Sequence, residues 1–231
     1  MKWLLRIILL MALISLCLLI PVLVSELPDK YKPWAPLSIE DKPNFLTEYK
    51  LSEFQDNLSS CTSFLGRGGI EYTSVADQEA PDFCEKTNRV TLDKSLYPYS
   101  ARVTANCALT SAIALWEKYV VQPAAVKHLN TDISRITHYG IYSCRRVNNS
   151  SSGRPSQHAT ANAIDIAGFT LDSGQQITLV RDWGKDSDAG RFLKDVRDGS
   201  CGIFKGVLGP DYNTAHRDHF HLDLGPYNIC R

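Results

Sequence analysis

Four of the six histidines of this chain fall in two short segments that also carry aspartates. The first reads Ser156-Gln-His158-Ala-Thr-Ala-Asn-Ala-Ile-Asp165-Ile, and the second reads His216-Arg-Asp218-His219-Phe-His221-Leu-Asp223-Leu. If the second segment is a strand, alternation turns His219, His221 and Asp223 to one face and Phe220, Leu222 and Leu224 to the other. Asp165 stands between Ile164 and Ile166, so a carboxylate shares a strand with two core-type side chains. A buried carboxylate without a partner is costly. A divalent cation shared by His158, Asp165 and His221 would offset that cost, and two imidazoles with one carboxylate suit a single zinc ion.

Three protein ligands leave a fourth coordination position for water, the pattern of a catalytic site, and the expected chemistry is hydrolysis. A general base must then stand beside that water. His219, two residues before His221, is the first candidate, and His216 is the second. Asp218 and Asp223 read as groups that orient imidazoles. Arg145 or Arg154, ahead of the first cluster, could hold a substrate carboxylate or a developing oxyanion. His128 and His138 stand outside both clusters and read as structural.

The elements that must position these residues form a mixed pattern. Ala105–Val121 is apolar nearly all round, as a helix packed inside a domain would be, and Pro123 can open a second short helix. A strand is expected near Ile70–Val75. Ile136–Cys144 reads as a strand feeding the polar stretch Arg145–Gln157. Ala163–Phe169 and Gln176–Trp183 read as strands around a turn at Asp172, Ser173 and Gly174. Ala189–Arg197 reads as a helix and Phe220–Leu224 as a final strand. No internal repeat or low-complexity tract is visible.

With 231 residues and 44% apolar content, the chain can bury one sizeable core after its leading segment. Its 25 basic and 25 acidic residues cancel, so no long-range field recruits nucleic acid, and nucleic-acid binding is not expected. Residues 1–25 carry Lys2 and Arg6 ahead of an apolar run from Ile7 to Val24, long enough to span hydrocarbon. Large residues before Ser25 make a weak cleavage site, which favours an uncleaved anchor over a signal peptide. Lys2 and Arg6 then stay inside and send the rest across, into the periplasmic or extracytoplasmic space. Residues 26–44, with Pro28, Pro33, Pro36 and Pro43, suit a stalk, and residues 45–231 form the domain. Cys17 sits in the apolar run, which leaves six cysteines on the exported side and no CxxC pair, so three disulfides are expected. Sequential pairing 61–84, 107–144 and 201–230 would tie successive elements together, although six cysteines allow about 15 pairings.

The pattern SxHxxxxAxD followed by HxxHxH resembles the LAS zinc peptidases of the bacterial cell wall, among them D-Ala-D-Ala carboxypeptidases and murein endopeptidases. Further blocks are similar to the extensin-like protein C-terminal family: Tyr142-Ser-Cys-Arg145, His158 to Phe169, Val207-Leu-Gly-Pro210, His216 to Leu224, and Cys230-Arg231. That second likeness spans roughly Pro36 to Arg231. Despite the family's name, the chain has no Pro-rich repeat of the plant-wall kind. The resemblance implies an α+β fold, a small antiparallel sheet with packed helices in a LAS-peptidase-like (hedgehog/DD-peptidase-like) domain, disulfide-stabilised. It also implies His158, Asp165 and His221 as zinc ligands, His219 as base, and a peptidoglycan peptide as substrate. The expected activity is amide hydrolysis in the cell envelope; the alternative is a non-catalytic wall-binding or structural module that retains the metal.

Overall fold

In the computed structural model, which describes residues 2–80 and 82–231, the leading apolar run forms helix α1 (Lys2–Ser25). It is the one helix among the described residues long and apolar enough to cross a membrane, and a signal sequence would meet the same test. The chain divides into a unit ending at Pro36 and a unit running Leu37–Arg231. The second takes in the last part of the stretch read as stalk: Leu37 and Ile39 are buried in the core cluster.

Two helices open the larger unit, α2 (Thr47–Asp56) and α3 (Leu58–Arg67). Asn57 starts α3 by accepting a hydrogen bond from the Ser60 amide, which satisfies one of the donors a helix start leaves open. An antiparallel sheet follows, in the order β1 (Glu71–Val75), β2 (Arg89–Lys94) and β3 (Val103–Asn106). Asn106 ends β3 and caps α4 (Cys107–Trp116) through a 2.9 Å bond from the Ala108 amide. The helix expected from Ala105 therefore begins two residues later. All ten residues of α4 are buried, as an all-round apolar surface requires. Trp116 keeps its indole N–H satisfied by donating to the Ser200 hydroxyl at 2.9 Å.

A π-helical stretch at Glu117–Val121 carries α4 into α5 (Gln122–Leu129), with Pro123 at its first turn as the sequence suggests. Glu117 is fully buried there. It accepts hydrogen bonds from the Ser95 hydroxyl at 2.9 Å, the Leu96 amide at 3.0 Å and the Tyr99 hydroxyl at 2.7 Å. Burial pushes its carboxyl up to about 7 despite these donors.

A second, six-stranded sheet carries the two histidine segments. Its strands are β4 (Ile133–Gly140), β5 (Ala163–Leu171), β6 (Gln176–Thr178), β7 (Gly206–Leu208), β8 (Phe220–Asp223) and β9 (Ile229–Cys230). The order is β4-β5-β8-β7-β9, with β6 also paired to β5; all pairs are antiparallel except β7 with β9. Between β6 and β7 lie the short helix α6 (Leu179–Asp182) and α7 (Asp188–Ser200).

Two strands differ from the sequence reading. The strand expected to reach Cys144 stops at Gly140, whose φ of +153° suits a residue without a side chain and turns the chain out of the sheet. The strand expected over Gln176–Trp183 ends at Thr178, because the Thr178 hydroxyl accepts from the Arg181 amide while Asp182 accepts from the Thr178 amide at 2.9 Å. That reciprocal capture nucleates a helical turn in place of further strand.

Three disulfides form: Cys61–Cys107, Cys84–Cys144 and Cys201–Cys230. The third follows sequential pairing; the first two do not. Buried Cys61 on α3 packs against the start of α4 and so meets Cys107, which leaves Cys84 for Cys144. The result is a mixed α+β unit with small, mostly antiparallel sheets, packed helices and three disulfides.

Candidate metal centre

Strand pairing brings the two segments together. Asp165 on β5 lies directly opposite His221 on β8, and Ile166 opposite Phe220. On β8, Phe220 and Leu222 enter the core, as does Leu224 just beyond it, so the alternation expected from the sequence places His221 and Asp223 on the other face. His158 comes from a single 3-10 turn, Gln157–Thr160, which Ser156 caps by accepting from the His158 amide at 3.3 Å.

His158 Nε2, His221 Nδ1 and Asp165 Oδ1 form a nearly equilateral triangle. Its sides are 3.1 Å between the histidines, 3.1 Å from His158 to Asp165 and 3.0 Å from His221 to Asp165. Both histidines are more than nine-tenths buried. The outer nitrogen of each is already committed. His158 Nδ1 lies 2.8 Å from the Ile141 carbonyl, which can only accept, so Nδ1 carries the hydrogen and Nε2 is bare in the neutral ring. His221 Nε2 lies 2.8 Å from Asp223 Oδ2 and donates to it, which leaves Nδ1 bare.

Three electron-pair donors thus face one another with their hydrogens on the outside, an arrangement that repels unless a cation lies between them. A tetrahedral zinc ion would set its ligand atoms about 3.3 Å apart, so the residues fit the ion after an opening of a few tenths of an ångström. A single shared proton would relieve the same repulsion. Burial opposes charge on His221, but hydrogen bonds to Asp165 and Asp223 outweigh it and push the imidazole up to about 9. Burial would raise Asp165 too, yet its hydrogen-bonding contacts with the His158 and His221 rings, which share one proton, and their positive charge hold it well below the usual carboxylate range.

Asp223 has no exposed surface, and its second oxygen accepts from the Gly225 amide at 2.6 Å. Gly206 on β7, its partner across the strands, is where a Cβ would overlap the Asp223 carboxylate, so only glycine fits.

His219 and His216 surround the triangle. His219 Nδ1 is 2.9 Å from Asp218 Oδ1, and Nε2 is 3.5 Å from Asp165 Oδ1. Asp218 thereby holds the hydrogen on Nδ1 and leaves Nε2 bare and turned toward the ligand atoms. His216 bonds Asn213 Oδ1 through Nδ1 at 2.8 Å, with its ring 5.3 Å from that of His219. Burial, then the positive charges available to His221 and His219, push His216 down to about 4, so it is neutral at physiological pH.

A cavity of about 460 Å³ opens over the triangle, lined by Arg145, Asn148, Asn149, Asp165, Ala215, His216, His219 and His221. Every candidate ligand and base except His158 therefore meets one space. Arg145 is tied down by its neighbour's disulfide, Cys84–Cys144. Arg154, the other arginine ahead of the first cluster, stacks instead over Tyr227, 5.2 Å from the ring centroid. His128 and His138 lie apart, bound to Asp195 and to the Ala101 carbonyl. Sequence reasoning passed over Asn148, Asn149 and Asn213. The first two sit in a polar Asn/Ser stretch with no spacing to mark them, and Asn213 both caps the turn that bears His216 and accepts from the His216 ring.

No curated protein and no solved structure matches this chain. The model of the family described as Extensin-like protein C-terminus matches residues 59–231, which hold every candidate ligand and base and all three disulfides, and the chain belongs to that family.

Proposed function

We propose that this protein is a zinc-dependent hydrolase that cuts amide bonds of peptidoglycan peptides in the cell envelope, on a LAS-peptidase-like domain carried at the outer face of the membrane by α1. The observation that supports it most is the triangle of bare donor atoms at 3.0–3.1 Å, with a base candidate turned toward it from 3.5 Å. His158, Asp165 and His221 would hold the zinc. Bound there, the ion supplies Lewis-acid polarisation and a lowered water pKa.

The chain's own residues do the rest. His219 Nε2 takes a proton from the attacking water and can return it to the departing amine, with Asp218 stabilising the imidazolium meanwhile. His216, neutral at working pH, accepts or relays a hydrogen bond and adds no charge. Arg145 meets a carboxylate or the developing oxyanion from the open side of the cavity. The apolar span of α1 is consistent with tethering at the membrane, which would keep the domain near the wall.

Zinc content per chain, measured beside His158→Ala and His221→Ala and followed by digestion of purified peptidoglycan, tests the reading. About one zinc in the parent, little in the variants and new amino termini in the digest are expected. A folded parent without metal rules out the metallohydrolase; metal without cleavage leaves a wall-binding module.

A further inference from the structure

The connection between β2 and β3 is not an ordinary hairpin turn. The two strands pair from Arg89–Asn106 to Leu92–Val103, and residues 93–102 bridge them, where about two to five residues close most hairpins. Surface loops of this length are usually mobile. Here the loop is tied down along its course. Glu117 accepts from the Ser95 hydroxyl, the Leu96 amide and the Tyr99 hydroxyl, and the Tyr97 hydroxyl donates to Asp132 at 2.9 Å. Ile136 of β4 donates to the Pro98 carbonyl at 2.9 Å and accepts from the Ser100 amide at 2.8 Å. The His138 amide donates to the Ser100 hydroxyl at 3.1 Å.

Glu117 opens the π-helical stretch, a kind of turn that recurs at functional sites, yet it lines no part of the metal cavity. Burying a carboxylate is costly. What this one secures is the shape of the loop.

The loop and the strand ends it joins enclose a cavity of about 590 Å³, inside the span of about 300–1,000 Å³ common among small-molecule sites. It shares no lining residue with the metal cavity. Leu92, Tyr97 and Val103 line it and are themselves buried. Its hydroxyls are already engaged: those of Ser95, Tyr97 and Tyr99 by the two carboxylates, and that of Thr91 by Thr104 at 2.9 Å. Neither carboxylate, nor Thr104, belongs to the lining. The surface left to a guest is therefore mostly apolar and aromatic.

Three charged residues also line the cavity. Asp93 already accepts from the Thr73 hydroxyl at 2.7 Å. Lys94 meets Glu71 at 3.1 Å, but the two side chains are 71% and 62% exposed, and such a pair holds weakly. Arg102 is exposed and has no ion-pair partner among the described residues. We infer that this loop cavity is a second binding site, for a small organic acid whose ring or alkyl body lies against Leu92, Tyr97 and Val103 and whose acidic group meets Arg102. The inference is independent of the metal centre, and its failure leaves that reading untouched.

The full chain in lipid nanodiscs, stripped of metal so that no acid binds by coordination, is titrated calorimetrically with phenylbutyrate, with the uncharged phenylbutyramide and with acetate, against empty discs. Phenylbutyrate is expected to bind one-to-one and about ten-fold tighter than either control, the margin that a charge-assisted contact supplies. Arg102→Gln should bring the acid and the amide to near-equal affinity. Ala101→Trp, at a lining position, should fill the mouth and weaken the acid about ten-fold. Both positions are exposed, so neither exchange threatens the fold. No binding of phenylbutyrate by the parent, equal affinity for the acid and either control, or a preference that survives either exchange overturns the inference.

Discussion

His221 donates from Nε2 to Asp223 Oδ2 at 2.8 Å, and this one bond decides which face of the imidazole is left to coordinate. Asp223→Asn keeps an oxygen in place but removes the charge that makes His221 a better electron-pair donor. Zinc affinity, measured by competition against a chelator, is expected to fall about 10–100-fold while the fold is retained. Unchanged affinity would show that the Asp223 charge does not tune the site.

His219→Gln tests the base. Because His219 approaches Asp165 only through Nε2 at 3.5 Å and is not a corner of the triangle, the variant should keep its zinc. Turnover should drop by about 10²–10⁴. Full activity in a zinc-loaded variant would transfer the role to His216.

Glu117 gives the protein a pH dependence of its own. Its carboxyl is raised from an ordinary 4.5 to about 7, so on titration the unfolded chain releases this proton first. The stabilisation tied to that proton is complete below about pH 4.5 and is lost as pH climbs toward 7, at about 1.4 kcal/mol per pH unit at most. Glu117→Gln should therefore flatten the stability profile over that window, as read by urea unfolding at successive pH values. A variant whose profile parallels the parent would contradict the assignment.

The Cys84–Cys144 bond closes a loop of sequence separation 60 and anchors the segment bearing Arg145. Replacing both cysteines with serine should cost about 4 kcal/mol by loss of unfolded-state constraint. It should also raise KM more than it lowers zinc content, since no ligand lies on that segment. Equal loss of both would mean that the bond supports the whole site.

Much of the centre was legible in residue order because its parts obey local rules. His221 and Asp223 alternate with Phe220 and Leu222, and Asp165 is flanked by isoleucines, so a period of two was enough to sort the candidate ligands from the core. Pairing β5 with β8 then needed only the apolar faces to agree. What was not legible depended on contacts distant in sequence or on polar capture. The crossing of α3 and α4 selects Cys61–Cys107, and no spacing announces it. The turn at Thr178 arises from a hydroxyl and from Asp182, groups that a count of apolar positions ignores. The bulge that β5 makes at Ala167, where pairing passes from Ile166 to Gly168, shows itself only when β4 is laid beside β5.

One partner in the centre is not a side chain. The hydrogen on His158 is fixed by the carbonyl of Ile141, at the point where β4 has just ended. No substitution can delete that acceptor, so exchanges at position 141 leave the ligand's basicity largely alone. Lengthening or shortening the connection between Gly140 and Ser156 moves the acceptor itself. Indels in this connection would thus reset metal affinity while every ligand stayed the same, which makes segment length, more than residue identity, the variable through which relatives with intact ligands could diverge.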